Sequence, residues 1–210
     1  MLTVGLTGGI ASGKSTITKY LSDLGAVCVD ADLIARDAMV EAPVYSKLVE
    51  HFGPNILSEP GEIDRAALAA EVFSDPDQLR VLNGLVHPVV IDRIKEVLGA
   101  WSRERHGIGI VQVPLLIEAG MTDLFDVIVV VITTPEMQVN RLTASGLSFE
   151  EAEARLRSQL PGSARLPFAD LTIINKASLE LLKEQTAILY DKLKSLGPGE
   201  KEGETTTFSG

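Results

Sequence analysis

The chain has 210 residues, of which 45% are hydrophobic and 23% are charged, and its acidic residues outnumber Lys and Arg by 29 to 19. The apolar content excludes a collagen-like or largely disordered chain, and the net charge of −10 argues against a protein that coats nucleic acid or anionic lipid. The single cysteine, Cys28, excludes an intramolecular disulfide framework and any multi-cysteine metal site.

Five apolar runs rich in β-branched residues predict strands at residues 2–6, 26–29, 108–113, 127–132 and 171–174. They lack polar alternation, which is typical of strands buried on both faces. Helical spacing predicts helices at residues 14–24, 135–144, 150–160 and 179–196. Strands that alternate with helices pair in parallel with right-handed crossovers. We therefore predict a doubly wound α/β fold of three layers around a five-stranded parallel sheet.

A glycine-rich loop follows the first predicted strand. It reads Gly8-Gly9-Ile10-Ala11-Ser12-Gly13-Lys14-Ser15-Thr16 and matches G-x-x-x-x-G-K-[ST]. The glycines allow the backbone to form a nest of N–H donors, and the N-terminus of the next helix adds partial positive charge. This pattern predicts a site for a nucleoside triphosphate with Mg²⁺. Lys14 would reach the β and γ phosphates and Ser15 would ligate the metal; the other predicted ATP-binding residues are Gly9, Ala11, Ser12, Gly13 and Thr16.

The phosphate loop alone is compatible with a kinase, a GTPase or an ATP-driven binding module. No aspartate is followed by glycine three residues later, and Asn175-Lys176-Ala177-Ser178 lacks the final carboxylate of a guanine-reading N-K-x-D motif. No predicted strand ends in Asp-Glu, as is usual in motor modules. These features favour a small-molecule kinase.

The second predicted strand ends in Asp30-Ala31-Asp32, at the edge where open α/β sheets bind ligands. Asp32 could accept the proton of an attacking hydroxyl, and Arg36, one helical turn later, could hold a phosphate of the acceptor. The alternative is that either carboxylate caps the following helix. We favour the cap for Asp30 and the functional role for Asp32.

Two further segments interrupt the predicted core. Residues 31–104 contain no convincing strand and have helix starts at Ser74-Asp75-Pro76 and His87-Pro88, which predicts a helical insertion that binds the acceptor. Residues 142–166 predict a helical lid. The core of the single domain, residues 1–196, would then comprise 1–30, 105–141 and 167–196. The polar tail, residues 197–210, is predicted to be disordered.

In combination, these motifs resemble the dephospho-CoA kinase family. The resemblance rests on the phosphate loop, Asp30-Ala31-Asp32 with Arg36, His87-Pro88, Pro114-Leu115-Leu116 with Glu118, Arg141, and Ala169-Asp170 before Ile173-Ile174-Asn175. It implies a cytoplasmic enzyme that uses Mg·ATP to phosphorylate the ribose 3′-hydroxyl of dephospho-CoA. The alternative within the kinases is another nucleoside or nucleotide kinase, and the alternative outside them is a regulatory ATP-binding module.

The resemblance also implies roles for individual residues. Asp32 would be the base, Lys14 and Arg141 would complete the catalytic set, and the acceptor site would comprise Thr7, Asp32, Arg36, His87, Leu115 and Glu118. Other roles stay open for several of them: a helix cap for His87, packing for Leu115, a helix-start carboxylate for Glu118 and a solvated surface position for Arg141. ATP and dephospho-CoA are the expected partners, with no nucleic acid or membrane, and the chain would be a monomer or a weak homo-oligomer.

The chain departs from the family pattern at three places. Many members carry an aspartate at the position of Gln112. Members also often have a second arginine four residues after Arg141, where this chain has Ser145. Arg155 or Arg157 could supply the missing lid charge. Lys176-Ala177 replaces a glycine that is common after the asparagine at position 175.

Overall fold

The computed structural model describes residues 1–73, 75–176, 178–199 and 205–208. The chain forms two compact units, Met1–Asp30 with Leu98–Gly210, here called the core unit, and Ala31–Val97, here called the insertion unit. The strands are β1 Leu2–Gly8, β2 Val27–Asp30, β3 Leu57–Ser58, β4 Glu62–Ile63, β5 Ile108–Gln112, β6 Val127–Ile132, β7 Leu171–Ile174 and β8 Thr206–Phe208. The helices are α1 Lys14–Asp23, α2 Ala31–Val40, α3 Ala42–Phe52, α4 Arg65–Phe73, α5 Pro76–Arg103, α6 Pro135–Ala144, α7 Phe149–Arg157, α8 Gly162–Arg165 and α9 Leu179–Ser195.

The main sheet of the core unit has the strand order β2-β5-β1-β6-β7-β8, and all of its pairs are parallel. Parallel strands end at the same edge of a sheet. Gly8, Asp30, Gln112, Ile132 and Ile174, the last residues of β1, β2, β5, β6 and β7, therefore lie along one edge. This edge positions the phosphate loop beside the chain segments that follow the other strands.

Helices cover both faces of the sheet, which confirms the predicted layered α/β fold. On one face, α1 contributes Ile17 and Leu21 and α9 contributes Leu182, Leu189 and Leu193 to a buried cluster with the strands. On the other face, an added Cβ at Gly109 would lie 2.9 Å from the Trp101 ring of α5. The strand interiors are apolar on both sides because both sides are packed.

The prediction of five strands is wrong by one, because the tail supplies a sixth. Strand β8 pairs with β7, with Leu171 opposite Thr206 and Ile173 opposite Phe208, and Phe208 packs against the main core cluster. An edge strand needs only a backbone partner and little apolar surface, so a short Thr-Thr-Phe segment suffices. The predicted disorder of the tail is wrong for Thr206–Phe208; its residues 200–204 and 209–210 lie outside the described residues.

Replacing Phe208 by alanine should lower the free energy of unfolding by about 1–2 kcal/mol, because a partly buried ring is removed from the edge of the core. Urea denaturation measures the change. Phe149→Ala is the matched control, since that ring is exposed. Equal stability of Phe208→Ala and the control would contradict the packing of β8.

The insertion unit differs from the sequence prediction in two details. Strands β3 and β4 form a two-stranded antiparallel hairpin where no strand was predicted. Helix α5 is continuous through Pro88, so the predicted helix start at His87-Pro88 is wrong. Proline cannot donate to the residue four positions earlier and crowds its carbonyl. Here the buried stripe of Val86, Val90 and Ile94 holds the helix against that cost. Among the described residues, no helix has the length and apolar character needed to cross a membrane.

Candidate active site

The phosphate loop requires glycine at both of the fixed glycine positions of its motif, Gly8 and Gly13. Gly8 has φ 152° and Gly13 has φ 104°. An added Cβ at Gly8 would lie 2.3 Å from the carbonyl oxygen of Val131, and one at Gly13 would lie 2.2 Å from Nδ2 of Asn175. Because a side chain is excluded by both backbone conformation and space, the glycines of the motif follow from the tight approach of β6 and Asn175.

Side chains donate hydrogen bonds to five successive carbonyl oxygens of this loop. The bonds are Lys14 Nζ to Gly8 O (2.7 Å) and Gly9 O (2.9 Å), Gln138 Nε2 to Ile10 O (2.6 Å), Arg141 Nη1 to Ala11 O (2.9 Å) and Asn175 Nδ2 to Ser12 O (2.7 Å). Carbonyl oxygens repel phosphate oxygens, so donors that occupy them favour anion binding by the loop. The loop is therefore braced from α1, from α6 and from the end of β7.

The groups that would meet a phosphate lie around the start of α1. Lys14 is buried, whereas Ser15, the next residue of α1, is exposed. The Oγ of Ser12 is buried and has no hydrogen-bond partner within the described residues. A buried hydroxyl without a partner is costly, and a phosphate oxygen would satisfy it. The loop thus combines a helix N-terminus, an ammonium group and an unsatisfied donor, as an anion site requires.

Arg141 and Asn175 form a linked pair at the base of the loop. Nη2 of Arg141 donates to Oδ1 of Asn175 (3.3 Å), and Oγ1 of Thr133 donates to the Asn175 carbonyl oxygen (2.6 Å). Burial lowers the pKa of Arg141, yet a guanidinium group stays protonated in proteins. The structure therefore brings the predicted catalytic cation Arg141 directly onto the phosphate loop, at Ala11.

Asp30 and Gln112 meet at the ends of β2 and β5. Nε2 of Gln112 donates to Oδ2 of Asp30 (2.8 Å), and Oγ1 of Thr18 donates to Oε1 of Gln112 (3.0 Å). Gln112 is buried. Its amide accepts from Thr18 on one side and donates to the Asp30 carboxylate on the other, so Gln112 holds the side chain of Asp30 at the sheet edge.

The predicted acceptor residues are divided between the two units. In the core unit, Thr7 is buried and its hydroxyl donates to the Pro114 carbonyl oxygen (3.3 Å), and Leu115 is half-buried in the turn after β5. Oε1 of Glu118 accepts from Nη2 of Arg165 (2.6 Å). The structure thus pairs Glu118 with an arginine that the sequence interpretation did not single out.

In the insertion unit, Asp32 and Arg36 are exposed and lie four residues apart on one face of α2. Arg36 lines a cavity of about 350 Å³ together with Arg65, a second missed cation. His87 is half-buried in α5, and this burial lowers its pKa, which favours the neutral imidazole.

The chain is similar to proteins of a known family. A family model described as dephospho-CoA kinase matches residues 2–180. A dephospho-CoA kinase from Carboxydothermus hydrogenoformans is 43% identical over 193 residues, which is 91% of this chain and 94% of that protein. The chain belongs to the dephospho-CoA kinase family.

Solved structures agree with this membership. TT1252 from Thermus thermophilus superposes with a TM-score of 0.79 at 34% identity, over 93% of this chain and 98% of that one. A dephospho-CoA kinase from Campylobacter jejuni gives a TM-score of 0.70 at 28% identity, over 91% and 96% of the two chains. The resemblance stated from the motifs is therefore confirmed, as is the kinase class.

The segment that was predicted as a lid, residues 142–166, contacts the phosphate loop. Oε1 of Gln159 accepts from the backbone N–H of Ile10 (2.9 Å). Arg155 and Arg157, the two candidates for the missing lid charge, are both exposed, and Arg157 pairs with Glu153 (3.1 Å). The buried arginine of this segment is Arg165 instead. Nothing in the sequence distinguishes Arg165 from the other arginines of this segment. Only its burial in the structure does so.

Proposed function

We propose that the protein transfers the γ-phosphoryl group of Mg·ATP to the ribose 3′-hydroxyl of dephospho-CoA, which yields coenzyme A and is the final step of its synthesis. The observation that carries this proposal is a complete, braced phosphate loop in a chain whose family match extends over residues 2–180. The names of the relatives favour dephospho-CoA as acceptor over another nucleoside or nucleotide.

In the proposed reaction, the ribose 3′ oxygen attacks the γ phosphorus, and the bond from that phosphorus to the β–γ bridging oxygen breaks. ADP leaves with the electron pair, and the hydroxyl proton passes to the carboxylate of Asp32. Lys14 and Arg141 neutralise charge that develops on the phosphoryl oxygens. Positioning and electrostatics supply most of the rate enhancement in phosphoryl transfer.

Ser15 fits the role of the protein ligand to Mg²⁺, since its residue is exposed in the first turn of α1. Within the described ranges, no group of three or more His, Cys, Asp or Glu side chains could hold a metal. In this proposal the ion is held by nucleotide phosphates and water, with Ser15 as the protein ligand. When bound, it neutralises the β and γ oxygens and orients them.

The acceptor would be held largely by cationic and apolar groups of the insertion unit. Arg36 and Arg65 share a cavity with the acidic residues Asp37 and Glu62 and with the apolar residues Met39, Val40 and Ile63. Guanidinium groups bind phosphate oxygens in a bidentate manner, so the two arginines would bind a phosphate of the acceptor, while the two carboxylates hold the net charge of the cavity lining at zero. We assign Thr7, His87 and Leu115 to the same acceptor-binding role.

We also assign the protein to the cytoplasm, a compartment in which the thiol of its single cysteine, Cys28, stays reduced.

An acceptor panel tests the proposed function. The purified protein is supplied with Mg·ATP and, in separate reactions, dephospho-CoA, adenosine, AMP, shikimate or buffer, and ADP release is measured together with the mass of the product. We expect ADP release to depend on dephospho-CoA and to give a product heavier by one phosphoryl group. Turnover with another acceptor, or ADP release that does not depend on any acceptor, would refute the assignment.

A further inference from the structure

Arg165 is fully buried, at 0% exposure, although it is the last residue of the short helix α8. Its guanidinium makes two hydrogen bonds, from Nη1 to the Leu160 carbonyl oxygen (2.5 Å) and from Nη2 to Oε1 of Glu118 (2.6 Å). Within the described residues, its Nε has no hydrogen-bond partner. A buried guanidinium is costly unless its charge and its donors are satisfied. The protein alone leaves part of this requirement unmet.

The position of Arg165 indicates which ligand group would accept a hydrogen bond from its Nε. Arg165 lines a cavity of about 580 Å³ together with Gly9, Ile10 and Ser12 of the phosphate loop. An added Cβ at Gly9 would lie 3.6 Å from Nη1 of Arg165. Among the described residues, two buried donors beside this cavity lack hydrogen-bond partners: the Ser12 hydroxyl and the Arg165 Nε. Both are suited to phosphate oxygens.

Glu118 fits a supporting role in this arrangement. Its side chain is 23% exposed, and Oε1 also accepts from the Leu160 backbone N–H (3.4 Å). The carboxylate therefore connects the turn after β5 to the segment that carries Arg165. A single carboxylate that binds one side of a guanidinium fixes its plane and leaves its other edge for a second anion.

We propose that Arg165 contacts the terminal phosphate of the nucleotide bound at the phosphate loop, and that Glu118 is its positioning residue and not a ligand of the acceptor. This inference rests on the proposed function and deepens it, because it assigns a buried cation of the cavity lining to the nucleotide. Arg157 lines the same cavity, but it is exposed and pairs with Glu153. The hydrogen bond that Arg165 donates would strengthen as charge develops on the γ-phosphoryl oxygens during transfer.

The test compares the affinities of ADP and of a non-hydrolysable ATP analogue by calorimetry, together with kcat. In Arg165→Met, we expect the affinity for the analogue to fall about 10-fold, the affinity for ADP to stay within about twofold, and kcat to fall about 10²-fold. Glu118→Gln should shift the same quantities in the same direction by smaller factors. Arg155→Met is the control for an exposed arginine of the same segment, and we expect it to match the wild type.

Equal loss of affinity for both nucleotides, or a kcat of Arg165→Met within threefold of the wild type, would overturn the proposal. If Arg165→Met does not fold, two milder variants replace it: Arg165→Lys, which keeps the charge, and Glu118→Gln, which keeps the shape. The same selective loss of affinity for the ATP analogue relative to ADP is then expected of them, and equal loss for both nucleotides would overturn the proposal. The nucleotide comparison does not involve the acceptor. A wild type that makes no coenzyme A would therefore refute the proposed function, while the role of Arg165 would still be decided by the two affinities.

Discussion

Replacement of Asp32 by asparagine should lower kcat by roughly 10²- to 10⁴-fold and leave nucleotide affinity nearly unchanged. The amide has almost the same shape as the carboxylate but cannot accept the proton of the ribose hydroxyl. Asp32 lies in the first turn of α2, and its side chain is exposed. Steady-state kinetics with dephospho-CoA, and calorimetry with ADP, measure the two quantities.

Glu50→Gln is the matched control for Asp32→Asn, because Glu50 is an exposed carboxylate of the same insertion unit. It should retain wild-type kcat. A wild-type kcat in Asp32→Asn would show that Asp32 only stabilises the start of α2 and is not the base. A parallel fall in melting temperature and kcat would indicate a structural role only.

Replacement of Lys14 by methionine should lower kcat by roughly 10³-fold, whichever acceptor is used. In the structure, the Lys14 ammonium donates to the carbonyl oxygens of Gly8 and Gly9. On nucleotide binding it would supply a positive charge to the β and γ phosphates. Methionine keeps the apolar stem and removes the charge, so the loop loses both an internal donor and a ligand for phosphate.

Lys19→Met is the control for Lys14→Met, since Lys19 is exposed on the same helix α1. We expect the control to keep wild-type turnover. Methionine at position 14 also leaves two loop carbonyls without this donor, which should cost about 1–3 kcal/mol of stability, so chemical denaturation accompanies the kinetics. Unchanged turnover in a folded Lys14→Met variant would refute the phosphate-loop assignment.

The braced loop explains why residues outside the motif matter to it. Gln138, Arg141 and Asn175 lie far from the loop in the sequence, yet each donates to a different one of its carbonyl oxygens. Polar residues at the ends of strands and in the following helix are typical of ligand sites in α/β sheets. The family resemblance indicated Arg141 as a catalytic residue and included Asn175 in its last motif, whereas nothing in the sequence distinguished Gln138 or Gln159 from ordinary surface glutamines.

The acidic composition is compatible with two phosphate-bearing substrates. A net charge of −10 argued against nonspecific binding of polyanions. The cations assigned to the proposed ligand sites are few and local: Lys14, Arg141 and Arg165 at the phosphate loop, and Arg36 and Arg65 in the cavity of the insertion unit. Local placement of charge, and not net charge, therefore decides which anions this protein can hold.

The sequence by itself determined the α/β class, the five core strands, the phosphate loop and the family, because each depends on contiguous residues or on short periodic patterns. Only the tertiary structure decided the sixth strand, the continuity of α5 through Pro88, the pairing of Gln112 with Asp30 and the burial of Arg165 against Glu118. Each of these depends on a partner distant in sequence or on packing that overrides a local preference. Residue type states which bonds a side chain can make, but the fold determines which partner lies within reach and whether water competes for it.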